Sequence, residues 1–245
     1  MMAHALGMAR ADMLLRLSDL IVPADFDVLV ARRMADEPIA YIVGTRDFWT
    51  LTLAVTPDVL IPRPDSETLI EAAVAHFRDR APKRVLDLGT GSGALLLAAL
   101  DHWPDATGLG IDRSEGALAV ARGNAARLGL SERADFRIGN WGDGLDERFD
   151  LILINPPYIA TCATLPADVA THEPHSALFA GADGLDDYRV IAPQLPSLLA
   201  EAGFAAVEIG FDQGESAAAL FQATGLRVGL RRDLGGNHRC LEITR

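Results

Sequence analysis

The sequence predicts an α/β fold: a doubly wound, mostly parallel seven-stranded sheet, preceded by a small helical piece and a β-hairpin. Three observations carry this. From residue 83 onward, short apolar runs alternate with stretches of helical period, as successive βαβ units do. A glycine-rich turn, Gly89-Thr90-Gly91-Ser92-Gly93, joins the first run to a helix start. Asn155-Pro156-Pro157-Tyr158 directly follows an apolar, β-branched run at 149–154, which reads as a buried parallel strand.

In chain order, residues 3–35 read as short helices, with apolar residues at helical spacing. Pro23 opens one that places Phe26, Leu29, Val30 and Met34 on one face. From 40 to 61 the period becomes two, predicting a hairpin with strands at 41–43 and 48–55 and a turn at Gly44-Thr45. Pro62-Arg63-Pro64-Asp65 is a rigid turn, and Asp65 or Ser66 is placed to cap a helix running to about Arg80. Strands are expected at 84–88, 107–112, 134–138, 149–154, 204–209, 226–230 and 240–243, the last two forming an antiparallel pair. Helices are expected at 92–101, 114–128, 185–201 (interrupted near Pro193 and Pro196) and 215–223, with a long loop at 161–184. The division is 1–37 helical, 38–63 hairpin linker and 64–245 main domain.

The 245 residues are 49% hydrophobic and 23% charged, which allows one sizeable core and a small appendage. A net charge of −12 argues against a broad nucleic-acid surface, which needs many Lys/Arg contacts. Cys162 and Cys240 have no ligand-like spacing, so neither a metal site nor a disulfide framework is expected, and a reducing cytoplasm is. No run is long and clean enough to span a bilayer. The N-terminus lacks the basic start of a signal peptide, and Arg10, Asp12 and Arg16 interrupt its apolar residues. A monomer is expected.

The chemistry centres on Asn155. It sits at a strand's carboxyl end, where open α/β sheets bind ligands. Pro156 and Pro157 stiffen the loop and remove two backbone donors. The loop therefore offers the Asn155 side-chain oxygen and the Pro156 carbonyl as two fixed acceptors, a match for a primary amide or exocyclic amine. The glycines of 89–93 permit a sharp turn and close approach of a ligand. Asp112, roughly 20 residues on, ends the next strand, where a carboxylate bonds ribose hydroxyls. Alone, the glycine loop fits a nicotinamide cofactor and S-adenosylmethionine equally, since Gly89, Gly91 and Ala94 satisfy the relaxed dinucleotide fingerprint.

The form Asp87-Leu88-Gly89-Thr90-Gly91-Ser92-Gly93 resembles motif I of class I S-adenosylmethionine-dependent methyltransferases, and Asn155-Pro156-Pro157-Tyr158 resembles motif IV of amino-methyltransferases. Further segments look like the peptide chain release factor glutamine-N5 methyltransferase family: Glu37-Pro38 through Gly44, Asp47-Phe48-Trp49, Val59-Leu60-Ile61-Pro62-Arg63-Pro64 with Glu67, Glu173-Pro174, and Glu208-Ile209-Gly210 with Asp212-Gln213-Gly214. The resemblance runs from about residue 3 to the C-terminus. It implies methyl transfer to the glutamine of the Gly-Gly-Gln motif in bacterial class I release factors, with no metal and no direct nucleic-acid partner. It further implies that Gly89, Thr90, Gly91, Ser92 and Gly93 cradle the cofactor, Asp112 holds its ribose, and Trp141 lies at the adenine pocket. Asn155 would touch cofactor and glutamine, and Pro156, Pro157 and Tyr158 would shape the glutamine slot.

Three departures stand out. Asn140 precedes Trp141 where the family often has Asp, and Thr50 replaces a usual glycine. The helical piece is about half the family's length, so the expectation is a misassigned start or a shortened gene; an intact mass of 26.2 kDa for the native protein would dismiss misassignment. His172-Glu173-Pro174-His175 lacks a helical HExxH frame and reads as solvent loop, and Arg231-Arg232 with Arg239 as a solvated edge. Arg63 either orders the interdomain turn or meets the protein substrate. The rivals are a DNA adenine or RNA guanine amino-methyltransferase, which would need a basic recognition region and a flipped base, and an inactive cofactor-binding module.

Overall fold

A computed structural model describes all residues 1–245. Short helices α1 (Met2–Ala5), α2 (Arg10–Leu14), α3 (Phe26–Met34) and α4 (Ile39–Val43) come first. The hairpin β1 (Thr45–Phe48) and β2 (Leu51–Ala54) comes next, then α5 (Glu67–His76). The main domain runs β3 (Arg84–Leu88), α6 (Ala94–His102), β4 (Thr107–Asp112), α7 (Glu115–Arg127), β5 (Ala134–Ile138) and β6 (Phe149–Ile154). It continues with α8 (Ala167–His172), α9 (Asp186–Ile191), α10 (Leu195–Leu198), β7 (Leu199–Glu208), α11 (Gly214–Gln222), β8 (Arg227–Arg232) and β9 (His238–Thr244).

The seven-stranded sheet has the order β5-β4-β3-β6-β7-β9-β8, parallel up to β7, with β9 antiparallel between β7 and β8. The predicted antiparallel pair is present, but the chain's last strand lies inside the sheet, not at its rim. Side chains alternate across a strand, and the core divides accordingly. Val85, Leu151, Leu153 and Ala206 join the helices α5–α7 on one face. Leu86, Ile152, Ile154 and Val207 join α9–α11 on the other. Both faces are covered, which is why these strands read as continuous apolar runs.

Several expectations shift. Residues 41–43 are helix, not strand: Pro38 starts α4 and Gly44, at φ 78°, ends it in the left-handed region that a C-terminal glycine supplies. The hairpin turn is therefore Trp49-Thr50, with Phe48 paired to Leu51. Trp49 carries the positive φ, 54°, so Thr50 is tolerated where the family has glycine. Helix α5 stops at His76 rather than Arg80, and neither Asp65 nor Ser66 caps it through its side chain. The prolines end the 185–201 helix early, and β7 begins at Leu199 with a register irregularity before Leu151 pairs with Phe204. The 161–184 loop contains α8. In α3 no residue is buried and Met34 is 81% exposed.

Arg63 is placed by the fold. Its guanidinium pairs with Glu173, whose other oxygen accepts the Ile61 N–H at 3.1 Å. Glu173 is thus buried rather than solvent loop, and the pair ties the linker to the segment beyond Tyr158. Arg63→Ala strands a buried carboxylate. Because Arg63 is itself partly exposed, the expected loss is roughly 2–3 kcal/mol, below that for a fully buried pair. Urea unfolding checks it; an unchanged midpoint would remove the role. Arg239 is likewise not a solvated edge: it is buried against Asp65 and Asp233, and Arg231 pairs with Glu242.

Candidate active site

Strand order reverses at β3 and β6: the chain leaves β3 towards β4 and β5, then returns to β6 on its other side. Their carboxyl ends open a crevice at this switch point. Leu88 and Ile154 are paired partners, so the glycine loop and Asn155 emerge side by side. A Cβ added to Gly89 would meet the Trp141 ring at 3.0 Å, with the Asn155 carbonyl 3.9 Å away. The glycine is therefore required by close approach as well as by its φ of 76°.

A cleft of about 260 Å³ occupies this crevice. Gly89, Gly91, Asp112 and Trp141 line it, and Pro57–Leu60 and Pro174–Ala177 close over it. A second depression, about 300 Å³, lies at the opposite end of the sheet, around Arg84, Thr107 and Arg133; no strand carboxyl terminus opens into it.

Asp112 bonds the loop it faces. Its Oδ2 accepts the Gly91 N–H and its Oδ1 the Ser114 N–H, each at 2.9 Å. Each carboxylate oxygen retains a lone pair for a ligand hydroxyl. The Trp141 backbone has φ 52°, and the Asp187 carboxyl is pushed up by burial, with the Trp141 indole among the groups that oppose that shift. Asn140 donates to Asp143 at 3.1 Å, which turns its amide along the rim. Thr90 and Ser92 are buried, and Gly93 packs against Leu97 and Ala121. These three face inward and shape the loop rather than line the cleft.

Asp87, to which the motif alone gives no role, anchors the loop from below. Its Oδ2 accepts the Thr90 hydroxyl at 2.7 Å and the Leu96 N–H at 3.3 Å, while Oδ1 is buried without a partner. Burial pushes its carboxyl up to about 7, against those two bonds and with the neighbouring Asp112 charge. A folded-state pKa above the ordinary 3.8 gives stability that is full below that value and lost as pH rises through about 7. Asp87→Asn is expected to flatten this decline, read as urea midpoints across that window; an unchanged slope would refute it.

The second half of the site surrounds Asn155. Its Nδ2 donates to Ser66 Oγ at 3.0 Å, and Oδ1 makes no hydrogen bond within the chain. The Pro156 carbonyl is also free of hydrogen bonds. Tyr158 turns its hydroxyl inward to Glu208 Oε1 at 3.3 Å, and its ring packs against the core on that face of the sheet. The Tyr158 carbonyl accepts from Gln213 Nε2 at 2.9 Å. Glu208 is 1% exposed and its Oε2 has no hydrogen-bond partner. The sequence alone does not bring Ser66, Asp87 and Glu208 to the site. Ser66 has the look of a helix cap and Glu208 of one motif residue among several, and their partners lie far along the chain.

Comparisons with known proteins give the family and the fold. Residues 79–217 match the family model of a methyltransferase domain, and residues 1–44 that of the PrmC N-terminal domain. The release factor glutamine methyltransferase of Rhodospirillum rubrum is 46% identical over 97% of this chain and 75% of its own length. That of Cereibacter sphaeroides is 44% identical over 98% and 87%. Among solved structures, the human Mettl16 catalytic domain bound to an RNA hairpin superposes at TM-score 0.64 with 14% identity, covering 91% of this chain and 92% of that one. The ribosomal protein L11 methylase of Lactobacillus delbrueckii superposes at 0.55 with 24% identity, covering 75% and 80%. At those identities the likeness is one of fold, whereas the sequence relatives decide the family. With its switch-point cleft and its Asn-Pro-Pro-Tyr loop, this chain belongs to the release factor glutamine methyltransferases, S-adenosylmethionine-dependent enzymes of the class I fold.

Proposed function

We propose that the protein methylates the side-chain amide nitrogen of the glutamine in the Gly-Gly-Gln motif of bacterial class I release factors. The observation that carries this is the pair of unpaired acceptors, Asn155 Oδ1 and the Pro156 carbonyl, on one stiff loop beside the cleft. A primary amide presents two N–H donors, and two fixed acceptors satisfy both. Doing so turns the nitrogen lone pair away from the loop and favours positive charge developing on that nitrogen. Asn155 is neutral, which suits this role: an aspartate would attract a sulfonium in the ground state as strongly as in the transition state.

The cleft residues fit S-adenosylmethionine. Gly89 and Gly91 leave room for it against the loop, Asp112 holds ribose hydroxyls, and Trp141 borders the adenine. Thr90, Ser92 and Gly93 keep the loop in shape. When bound, the cofactor supplies an electrophilic methyl group. Asp112→Ala is expected to weaken its binding by roughly tenfold or more, through the lost ribose bonds and a loosened Gly91 turn. Isothermal titration reads this directly; unchanged affinity would move the ribose elsewhere.

On this reading 64–245 carries the chemistry, 38–63 closes the cleft, and 1–37 contacts the factor. Leu15, Ile21 and Met34, each more than 80% exposed, give that last piece an apolar surface. The decisive experiment is methyl transfer from labelled S-adenosylmethionine to unmethylated release factor, with a Gln→Ala variant of its motif and a DNA duplex as controls. Label on the wild-type factor alone is the expected result. Label on DNA would replace this reading with a nucleic-acid one.

A further inference from the structure

We propose that Ser66 and Glu208 are positioning residues that fix which end of the Asn155 carboxamide faces the substrate, an inference that rests on the glutamine-directed activity proposed for this site. A carboxamide has two ends of nearly equal shape, an acceptor oxygen and a donor nitrogen. With Nδ2 outward, Asn155 would set donor against donor on a primary amide. Orientation therefore decides whether the site works.

Asn155 Nδ2 donates to Ser66 Oγ at 3.0 Å, and Ser66 is buried. A hydroxyl has one proton. Ser66 can serve purely as the acceptor here only if that proton is directed elsewhere. Glu208 is the acceptor beside it: Ser66 is the foremost of the groups that favour the Glu208 carboxylate. Tyr158 occupies Oε1, and Oε2 is buried with no hydrogen-bond partner, which leaves it as the acceptor the Ser66 proton would take. On this proposal the observed donation from Asn155 to Ser66 continues from Ser66 to the unpartnered Glu208 Oε2, and Asn155 Oδ1 is left facing out. Reversing the sense of Ser66 reverses Asn155.

The charge on Glu208 sets that sense. As a carboxylate it only accepts; as an acid it donates, and Ser66 then turns its proton to Asn155. Asp65 and Ser66 face Glu208 from the turn before α5, Tyr158 from the Asn-Pro-Pro-Tyr loop, and Arg239 from β9. Cys240 of β9 is its paired partner, and Tyr188 of α9 donates to its carbonyl at 2.9 Å. Burial pushes the Glu208 carboxyl up; Ser66, Arg239 and Tyr158 oppose that, and it titrates at about 7. Burial holds the two tyrosines and Cys240 neutral well above that. Glu208 is therefore the group of this cluster that changes charge near neutrality.

The test measures kcat against pH for wild type, Ser66→Ala, Ser66→Thr and Glu208→Gln, with S-adenosylmethionine and unmethylated release factor. Alongside it, the Asn155 side-chain NH2 resonance is tracked by 15N NMR, assigned by Asn155→Asp. Wild-type kcat is expected to fall about tenfold per pH unit below about 7. Ser66→Ala should lose about tenfold or more in kcat while cofactor KM stays within about twofold. Ser66→Thr, which keeps the hydroxyl, should restore most of the loss. Glu208→Gln should abolish the acid limb and the pH-dependent movement of the Asn155 signal. An intact acid limb in Glu208→Gln, or wild-type kcat in Ser66→Ala, would overturn the proposal; should Glu208→Gln fail to fold, Ser66→Ala decides. If wild type leaves the factor unlabelled, the glutamine reading fails, and the Asn155 resonance alone then judges the orientation: no movement with pH in wild type overturns it.

Discussion

Asn155→Ala is expected to lower kcat by about 10²-fold or more, equivalent to roughly 2.7 kcal/mol of transition-state stabilisation. The side-chain oxygen is one of two acceptors on the loop, and its removal leaves the substrate amide free to rotate about its single bond to the Pro156 carbonyl. Cofactor affinity should change much less, because the cleft is lined by Gly89, Gly91, Asp112 and Trp141 and its wall does not depend on the Asn155 side chain. Single-turnover transfer to release factor, with cofactor binding measured separately, separates the two effects. Turnover at the wild-type rate would remove Asn155 from the chemistry.

Gly184→Ala should be among the most damaging single-methyl changes. A Cβ there would sit 2.3 Å from the Tyr158 carbonyl oxygen and 2.7 Å from Gln213 Nε2, and the backbone has φ 73°. Two costs add: about 1 kcal/mol for the left-handed conformation and about 2 kcal/mol for forcing the Tyr158 loop outward. The displacement also breaks the Gln213 bonds to the Tyr158 and Gly184 carbonyls. Stability should fall by about 3 kcal/mol, and kcat with it, since the Asn155-Pro156 acceptors ride on the same loop. Gly129→Ala is the control. Its φ is 71° but nothing lies within 4 Å, so it should carry only the conformational cost of about 1 kcal/mol. Equal losses in the two variants, read by urea unfolding, would show that the contact with Tyr158 does not matter.

Where sequence and structure part, the cause is one locally ambiguous run and, elsewhere, pairing between distant segments. The run at 39–43 is apolar, short and β-branched, and such runs do not distinguish helix from strand by period alone. Pro38 and Gly44 decide it, one as a helix entry and the other as its left-handed exit. Ser66 has a cap residue's chemistry and sits where a cap belongs, but its hydroxyl is used by Asn155, 89 residues away. Arg239 and Glu173 look like surface charges in a terminal strand and a polar loop; each is buried because a partner, Asp65 or Arg63, arrives from a distant part of the chain.

By itself the sequence determined the doubly wound sheet, the glycine loop, Asp112, Trp141 and the Asn-Pro-Pro-Tyr loop. All but Trp141, which only the family resemblance supplies, are written in a few neighbouring residues, through the side-chain period of a strand, the conformational freedom of glycine and the stiffness of proline. Tertiary structure alone decided which way the Asn155 amide points, where Arg63 goes, and which glycine-loop residues face the cleft. The first two depend on pairings between segments 50 to 110 residues apart, the third on the loop's contacts with Asp87 and Asp112. Only the closed fold brings such groups within hydrogen-bond reach and removes the water that would otherwise satisfy them.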